Sequence, residues 1–194
     1  MKNKKMRKDE IIKASIDLMY LKGYNGTSVK DITDAAGIPK GSFYNYFEDK
    51  EQYAIDAIHH YYDNNPVYKI ILSTNKDLEP LERIRNFFEQ GIQNAVEKEL
   101  KYGCFIGNLS QEMGDVTESI SKAAADITKE IVLQVYKNLL EAHEKGDLKS
   151  NVDLKSLASF IISSWQGSLV RMKMSANKTA LDDFYTILNE VLLK

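Results

Sequence analysis

Residues 35–51 read AAGIPKGSFYNYFEDKE. Gly37 and Pro39 stop one helix and start another within three residues. Glycine favours the end of a helix, and proline tolerates its first turn, where a missing N–H costs nothing. Four rings follow in five positions, Phe43, Tyr44, Tyr46 and Phe47, interleaved with Asn45 and flanked by Lys40 and Lys50. At 100° per residue Phe43 and Phe47 share a face and can anchor in a core. Gly41 and Asn45 lie roughly opposite, and Tyr44 and Tyr46 flank them with hydroxyls. A core helix does not carry so many polar tips, and a plain surface helix does not carry so many rings.

Upstream, KDEIIKASIDLMYLKG (residues 8–23) puts Ile11, Ala14, Leu18 and Leu21 on one helical face, widened by Ile12, Ile16 and Met19. Gly23 stands where that helix should end. A second helix begins at Ser28, an N-cap residue with Asp31 three positions on, and ends at Gly37. A third runs from Pro39 to about Phe47. EDKEQ (residues 48–52) opens a fourth, with acids at its positive end. A short helix, a glycine-containing turn and a shorter helix form the grammar of a helix-turn-helix, whose second helix enters the DNA major groove. In that geometry the phenylalanines hold the helix, while Lys40, Asn45 and the tyrosines face a duplex. Lys30 lies in the first turn of the preceding helix and Lys50 at the next helix start. A three-helix head that binds protein, or is purely structural, is the alternative.

Charge agrees with a head that meets a polyanion. The 194 residues carry a net −2, but residues 1–50 alone carry +3 and the remainder −5. Part of that excess sits in a basic N-terminal arm expected to be mobile. Hydrophobic residues make up 43% of the chain, enough for a sizeable core. No apolar run reaches the roughly 18 residues of a membrane span, and the basic N-terminus lacks the apolar stretch of a signal peptide. A single cysteine, Cys104, cannot form an internal disulfide. These features point to a cytoplasmic protein.

Helical segments continue at about 67–74, 78–100, 105–113, 116–145, 153–174 and 178–193, and no convincing strand is found. Asn64-Asn65-Pro66 breaks the fourth helix. The fold class is all-α: a helix-turn-helix domain over 1–50 and a ligand-binding and dimerisation domain over 51–194. Ser164 and Ser168, and Ser163 and Gly167, are spaced for close helix approach. Leu181, Phe184, Leu188 and Leu192 form an apolar stripe. Together these two terminal helices read as a dimer interface, the alternative being ordinary packing within the chain.

The run GYNGTSVKDITDAAGIPKGSFYNYFEDKEQ (residues 23–52) resembles the N-terminal signature of the TetR/AcrR family of bacterial transcriptional regulators, and the resemblance spans about residues 8–55. Departures are Asn25-Gly26 before the threonine, Thr33 where alanine is usual, and Pro39 where serine is usual. The proline removes a small polar group and an N–H at a phosphate-facing position. The resemblance implies a homodimer on a near-palindromic operator, usually a repressor released by a small-molecule inducer. Carried over position by position, the DNA-contacting residues are Ser28, Lys30, Lys40, Gly41, Ser42, Tyr44, Asn45, Tyr46 and Lys50. Lys30, Lys40 and Asn45 suit base edges; Ser28, Tyr44, Tyr46 and Lys50 suit phosphates.

In the C-terminal part, KYGCFIGNLSQEMGD (residues 101–115) resembles a G-C-x-x-G-N-L subclass of such regulators, some of which respond to electrophiles or oxidants. Cys104 precedes a helix start, which favours a thiolate; the bland alternative is a packing residue. Phe87, Phe88, Tyr102, Phe105 and Trp165 would form the apolar wall of a pocket, with Cys104, Asn108, Gln111, Glu112 and Gln166 as its polar groups. His59, His60 and His143 do not make a metal set, there is no glycine-rich phosphate loop, and no cofactor is expected. Two other functions fit the residues: a thiol-dependent enzyme using Cys104, and a helical adaptor that does not bind DNA.

Overall fold

A computed structural model describes residues 2–72, 74, 77–149 and 151–194, with side chains described from residue 7 onward. Ten α-helices are present among them: α1 (Lys2–Lys22), α2 (Val29–Ala35), α3 (Lys40–Phe43), α4 (Lys50–Asn64), α5 (Pro66–Ile70), α6 (Pro80–Glu97), α7 (Phe105–Met113), α8 (Glu118–Lys145), α9 (Leu154–Ser175) and α10 (Thr179–Ile187). A π-helical turn, Leu188–Leu192, prolongs α10. No strand occurs among the described residues. Helix α1 begins at Lys2 and so takes in the basic arm, which the sequence alone assigns to a mobile segment. Among the described residues no helix is long and apolar enough to cross a membrane.

Packing divides the chain differently from a boundary at residue 50. One compact unit comprises residues 1–64 with 105–127, the other 65–104 with 128–194. In the first, α1 buries Ile11, Ile12, Ser15, Met19 and Tyr20. This is not the stripe expected from the sequence: Leu21 is 52% exposed and Ala14 faces out. Ser15 explains the difference. Its hydroxyl donates to the Ile11 carbonyl (2.6 Å) and meets the Tyr53 hydroxyl of α4 at 2.7 Å, so a polar residue occupies the centre of the buried face fully satisfied. Burial pushes the Tyr53 phenol up to about 12, with the Ser15 bond opposing it. Helix α7 completes this unit. Its Phe105 packs edge-on to Tyr20 and tilted against Tyr61, with ring centroids 5.2 and 5.3 Å apart.

In the second unit α6 carries Ile84, Phe87 and Phe88 into the core. Phe88 lies 5.3 Å from Trp165 and 4.9 Å from Phe184. A Cβ on Gly91 would meet the Trp165 ring at 2.9 Å, so only glycine allows α6 and α9 this approach. Arg83, 1% exposed, donates to Leu78 O, to Asn138 Oδ1 and to both carboxylate oxygens of Glu141. Asn138 in turn donates to the carbonyls of Ile71 and Gln134. Burying a guanidinium is tolerable only with such complete pairing. Leu181, Phe184 and Leu188 of the α10 stripe are buried in this unit, which corrects their assignment to a dimer face. The same helices leave Phe160, Val170, Met174, Ile187 and Val191 exposed.

Candidate nucleic-acid interface

Helix α3 spans only four residues. Beyond it the amides of Asn45 and Tyr46 donate to carbonyls three residues back, and Phe47 donates to Phe43 O. The third helix therefore stops short of Phe47 and tightens into a turn. That turn drops both phenylalanines into the core. Phe43 and Phe47 lie 4.9 Å apart, and Phe47 meets Tyr53 edge-on at 5.1 Å. The opposite side carries Lys40, Gly41, Tyr44 and Asn45, all exposed, with Ser42 and Tyr46 half-buried beside them. A Cβ built on Gly41 meets nothing within 4 Å. No neighbour in the head demands glycine there.

Helix α2 is fixed by a capping box. Ser28 Oγ accepts from the Asp31 amide at 3.1 Å, and the Asp31 carboxylate accepts from the Ser28 amide at 2.8 Å. The Ser28 hydroxyl and then the Ser28 amide, both donating to it, hold the Asp31 carboxyl below the ordinary carboxylate range. The Ser28 hydroxyl, expected at a phosphate, is thus engaged in the cap, also meeting Asp31 Oδ2 at 2.5 Å. Lys30 is exposed and pairs with Asp34, whose hydrogen bond holds its ammonium above the ordinary value. Such a surface pair is weak, and a phosphate or base edge can displace it.

Lys50 departs furthest from expectation. Its ammonium donates to the carbonyls of Tyr24 (3.0 Å) and Thr27 (3.1 Å) and lies 4.1 Å from the Tyr24 ring centroid. Half-buried, it secures the turn between α1 and α2, where a phosphate contact was expected. Sequence reading also misses the turn's second anchor. Glu112 of α7 accepts from the backbone amides of Tyr24 and Asn25, each at 2.7 Å. Thr27 closes the same turn by donating to Gly23 O at 2.8 Å, and it is fully buried. Only Gly23 signals this in the sequence: its φ is +77°, and a Cβ there would meet Glu112 Oε2 at 2.3 Å.

The expected ligand-contacting residues fall in both units. Phe105, Asn108, Gln111 and Glu112 belong to the first. Phe105 is buried between tyrosines, Asn108 is half-buried, Gln111 is exposed, and Glu112 holds the turn. In the second unit Phe87 and Phe88 are packed against each other at 4.9 Å. Tyr102 lies under the Lys98 ammonium (4.6 Å), and Gln166 is half-buried. Cys104, half-buried, packs with Trp165, Ile92, Ala95 and Leu100 against Leu169, Met172 and Leu181. Lys101, three residues before it, is paired with Glu99. A groove of about 590 Å³ between α8 and α9 is lined by Val132, Leu133, Tyr136 and Lys155 among others, and by none of the ten expected residues.

Comparison with known proteins agrees with this surface. Residues 11–57 match the family described as bacterial regulatory proteins, tetR family, and residues 80–188 match the tetracyclin repressor-like C-terminal domain. The chain is 32% identical over 188 residues to the HTH-type transcriptional repressor DhaR of Mycobacterium sp. strain GP1, covering 96% of this chain and 92% of that one. It is 29% identical to the transcriptional regulator AcuR of Cereibacter sphaeroides, covering 90% and 80%. A crystal structure of a regulatory TetR protein from Rhodobacter sphaeroides superposes with a TM-score of 0.81 at 28% identity, over 90% of this chain and 93% of that one. The reduced form of Escherichia coli NemR shares the fold, with a TM-score of 0.86 at 19% identity over 95% and 96% of the two chains. The chain belongs to the TetR family and is a helix-turn-helix, DNA-binding transcriptional regulator.

Proposed function

We propose that this regulator is a cytoplasmic homodimeric repressor that leaves a near-palindromic operator when a small molecule binds, or a thiol reagent modifies, its C-terminal part. The observation that carries the DNA half is the two-sided α3 segment: phenylalanines inward, with Lys40, Gly41, Tyr44 and Asn45 exposed on the other side and open space around Gly41. Residues 1–50 read DNA; residues 51–194 bind ligand and the second protomer. The apolar residues left exposed on α9 and α10, Phe160, Val170, Met174, Ile187 and Val191, supply the self-complementary surface of an isologous dimer. The helix break at Asn65, whose side chain caps α5 by accepting from Val67 N, provides a pivot through which inducer binding alters head separation. Crystal structures of the free, inducer-bound and DNA-bound forms test this, since equal head separation in all three rules it out.

Cys104 is the proposed thiol sensor, in line with the G-C-x-x-G-N-L resemblance. It sits among apolar side chains, so alkylation or oxidation would force a polar or bulky group into the Trp165 cluster. The loop before it holds Glu99 and Leu100 at φ of 54° and 60°, a strained backbone. The test is operator binding before and after N-ethylmaleimide for the parent and for Cys104→Ser. Release of the parent alone supports the sensor; equal response of both removes Cys104 and leaves a non-covalent inducer.

A further inference from the structure

We infer that Glu112 is a positioning residue for operator binding: from α7 it clamps the α1–α2 turn that sets the start of the helix-turn-helix. This inference rests on the DNA-binding reading and adds a contact that no helix-turn-helix pattern contains. Two amides, Tyr24 N and Asn25 N, converge on one carboxylate, each at 2.7 Å. The Asn25 amide side chain reaches the sulfur of neighbouring Met113 at 3.9 Å. Gly23 is the only residue type that leaves room for the carboxylate, for both its positive φ and its missing Cβ. The carbonyls of the same turn are held from the other side by Lys50. A segment of five residues is thus gripped by an anion at its amides and a cation at its carbonyls. Directly after it come buried Thr27 and Ser28, the cap that fixes where α2 begins. If the turn shifts, α2 shifts its register against α1, and Lys30 and the α3 surface shift with it.

The anchor is not supplied by the three-helix head itself. Glu112 lies in the segment KYGCFIGNLSQEMGD, eight residues after Cys104 and 88 residues from Tyr24. Displacing α7 therefore withdraws a carboxylate directly from the turn in front of the DNA-reading helices. A general electrostatic role predicts the reverse of a clamp. Removing a negative charge near a polyanion strengthens binding to any duplex, whereas losing a clamp weakens binding to the preferred one.

The experiment uses full-length protein, a duplex selected from a random library by the parent, and a scrambled duplex of equal length. Affinities come from fluorescence anisotropy at one salt concentration, and turn protection from hydrogen exchange of the peptide covering residues 22–27. We expect Glu112→Gln to exchange that peptide faster, to lose about tenfold in affinity for the selected duplex, and to bind the scrambled duplex as well as or better than the parent. Asp115→Asn, an equal charge change at an exposed position just beyond α7, should leave selected-duplex affinity undiminished. If Glu112→Gln does not fold, Glu112→Asp, which keeps the charge but retracts the carboxylate by one methylene, gives the same readings. Parental affinity for the selected duplex in the variant, with or without faster exchange, overturns the inference. A parent that selects no sequence at all would instead overturn the DNA-binding reading on which it stands.

Discussion

The outer surface of α2–α3 and the outer surface of α9–α10 both lie over buried aromatic or aliphatic side chains, yet they display different chemistry. Beneath the first lie Phe43, Phe47 and Tyr53, and above them stand Lys40, Tyr44 and Asn45. Beneath the second lie Leu169, Met172 and Leu181, and above them stand Phe160, Val170 and Met174, the last 81% exposed. A polar skin over an aromatic floor suits a hydrated, charged partner. An apolar skin over an apolar floor suits a partner that can be dehydrated, such as a second copy of the same helices. The two surfaces also depend on each other. A head with so few contacts binds a duplex weakly by itself, and pairing two heads makes the second contact intramolecular.

Breaking the apolar surface should have the largest effect. Phe160→Glu combined with Val170→Glu should give monomers by sedimentation velocity, and operator affinity should fall roughly 10²–10⁴-fold through loss of paired engagement. A variant pair that stays dimeric would place the interface elsewhere. Next comes the polar surface: Lys40→Ala should cost about 1–3 kcal/mol at the operator and relax sequence preference, measured by anisotropy on operator and mutated sites. The comparison is sharpened by Gly41→Ala. Its new methyl group meets nothing inside the protein, so the thermal midpoint should hold or rise, since alanine favours helix over glycine by about 1 kcal/mol. Operator affinity should nonetheless fall about tenfold if backbone and duplex come close there.

The smallest effect concerns the cap under the polar surface. Ser28→Ala should lower the thermal midpoint at neutral pH by roughly 2–4 °C, a cap's typical worth in a chain this size. Asp31 titrates below its ordinary value of 3.8 because Ser28 hydrogen-bonds its charged form. A group lowered on folding stabilises above its unfolded pKa and loses that contribution as pH falls through the folded value. The gap between parent and Ser28→Ala should therefore narrow on acidification below the ordinary carboxylate range, leaving the share of the Asp31 amide bond to Ser28 Oγ. Circular dichroism melts across that range decide it, and a gap independent of pH would detach Asp31 from the cap.

Much of this was legible in the sequence because it was local. Ser28 with Asp31, Gly37 with Pro39, and Asn65-Pro66 declare helix ends through backbone chemistry that acts within four residues. The spacing of Phe43 and Phe47 declares which way α3 faces. What could not be read was long-range and polar. Ser15 looks like a surface residue until Tyr53, 38 residues away, meets its hydroxyl. Arg83 looks like a solvated charge until Asn138 and Glu141 receive it. Lys50 and Glu112 have the right residue types for DNA and ligand contacts, and only the fold reveals that backbone groups of one turn already hold them. The α10 stripe misleads for a related reason: periodicity identifies an apolar face but does not say whether its partner lies in the same chain.

Trp165 is the chain's single tryptophan. It stands 5.3 Å from Phe88 and 5.4 Å from Phe184, close against Gly91, in the cluster that also receives Cys104. One indole in one environment makes the protein its own optical probe. Light absorbed at the red edge of the ultraviolet band excites this residue and none of the eleven tyrosines, and the colour and lifetime of the emission report how wet and how tightly packed that cluster is. Events at the cysteine become readable in unlabelled protein, in real time, and without DNA present.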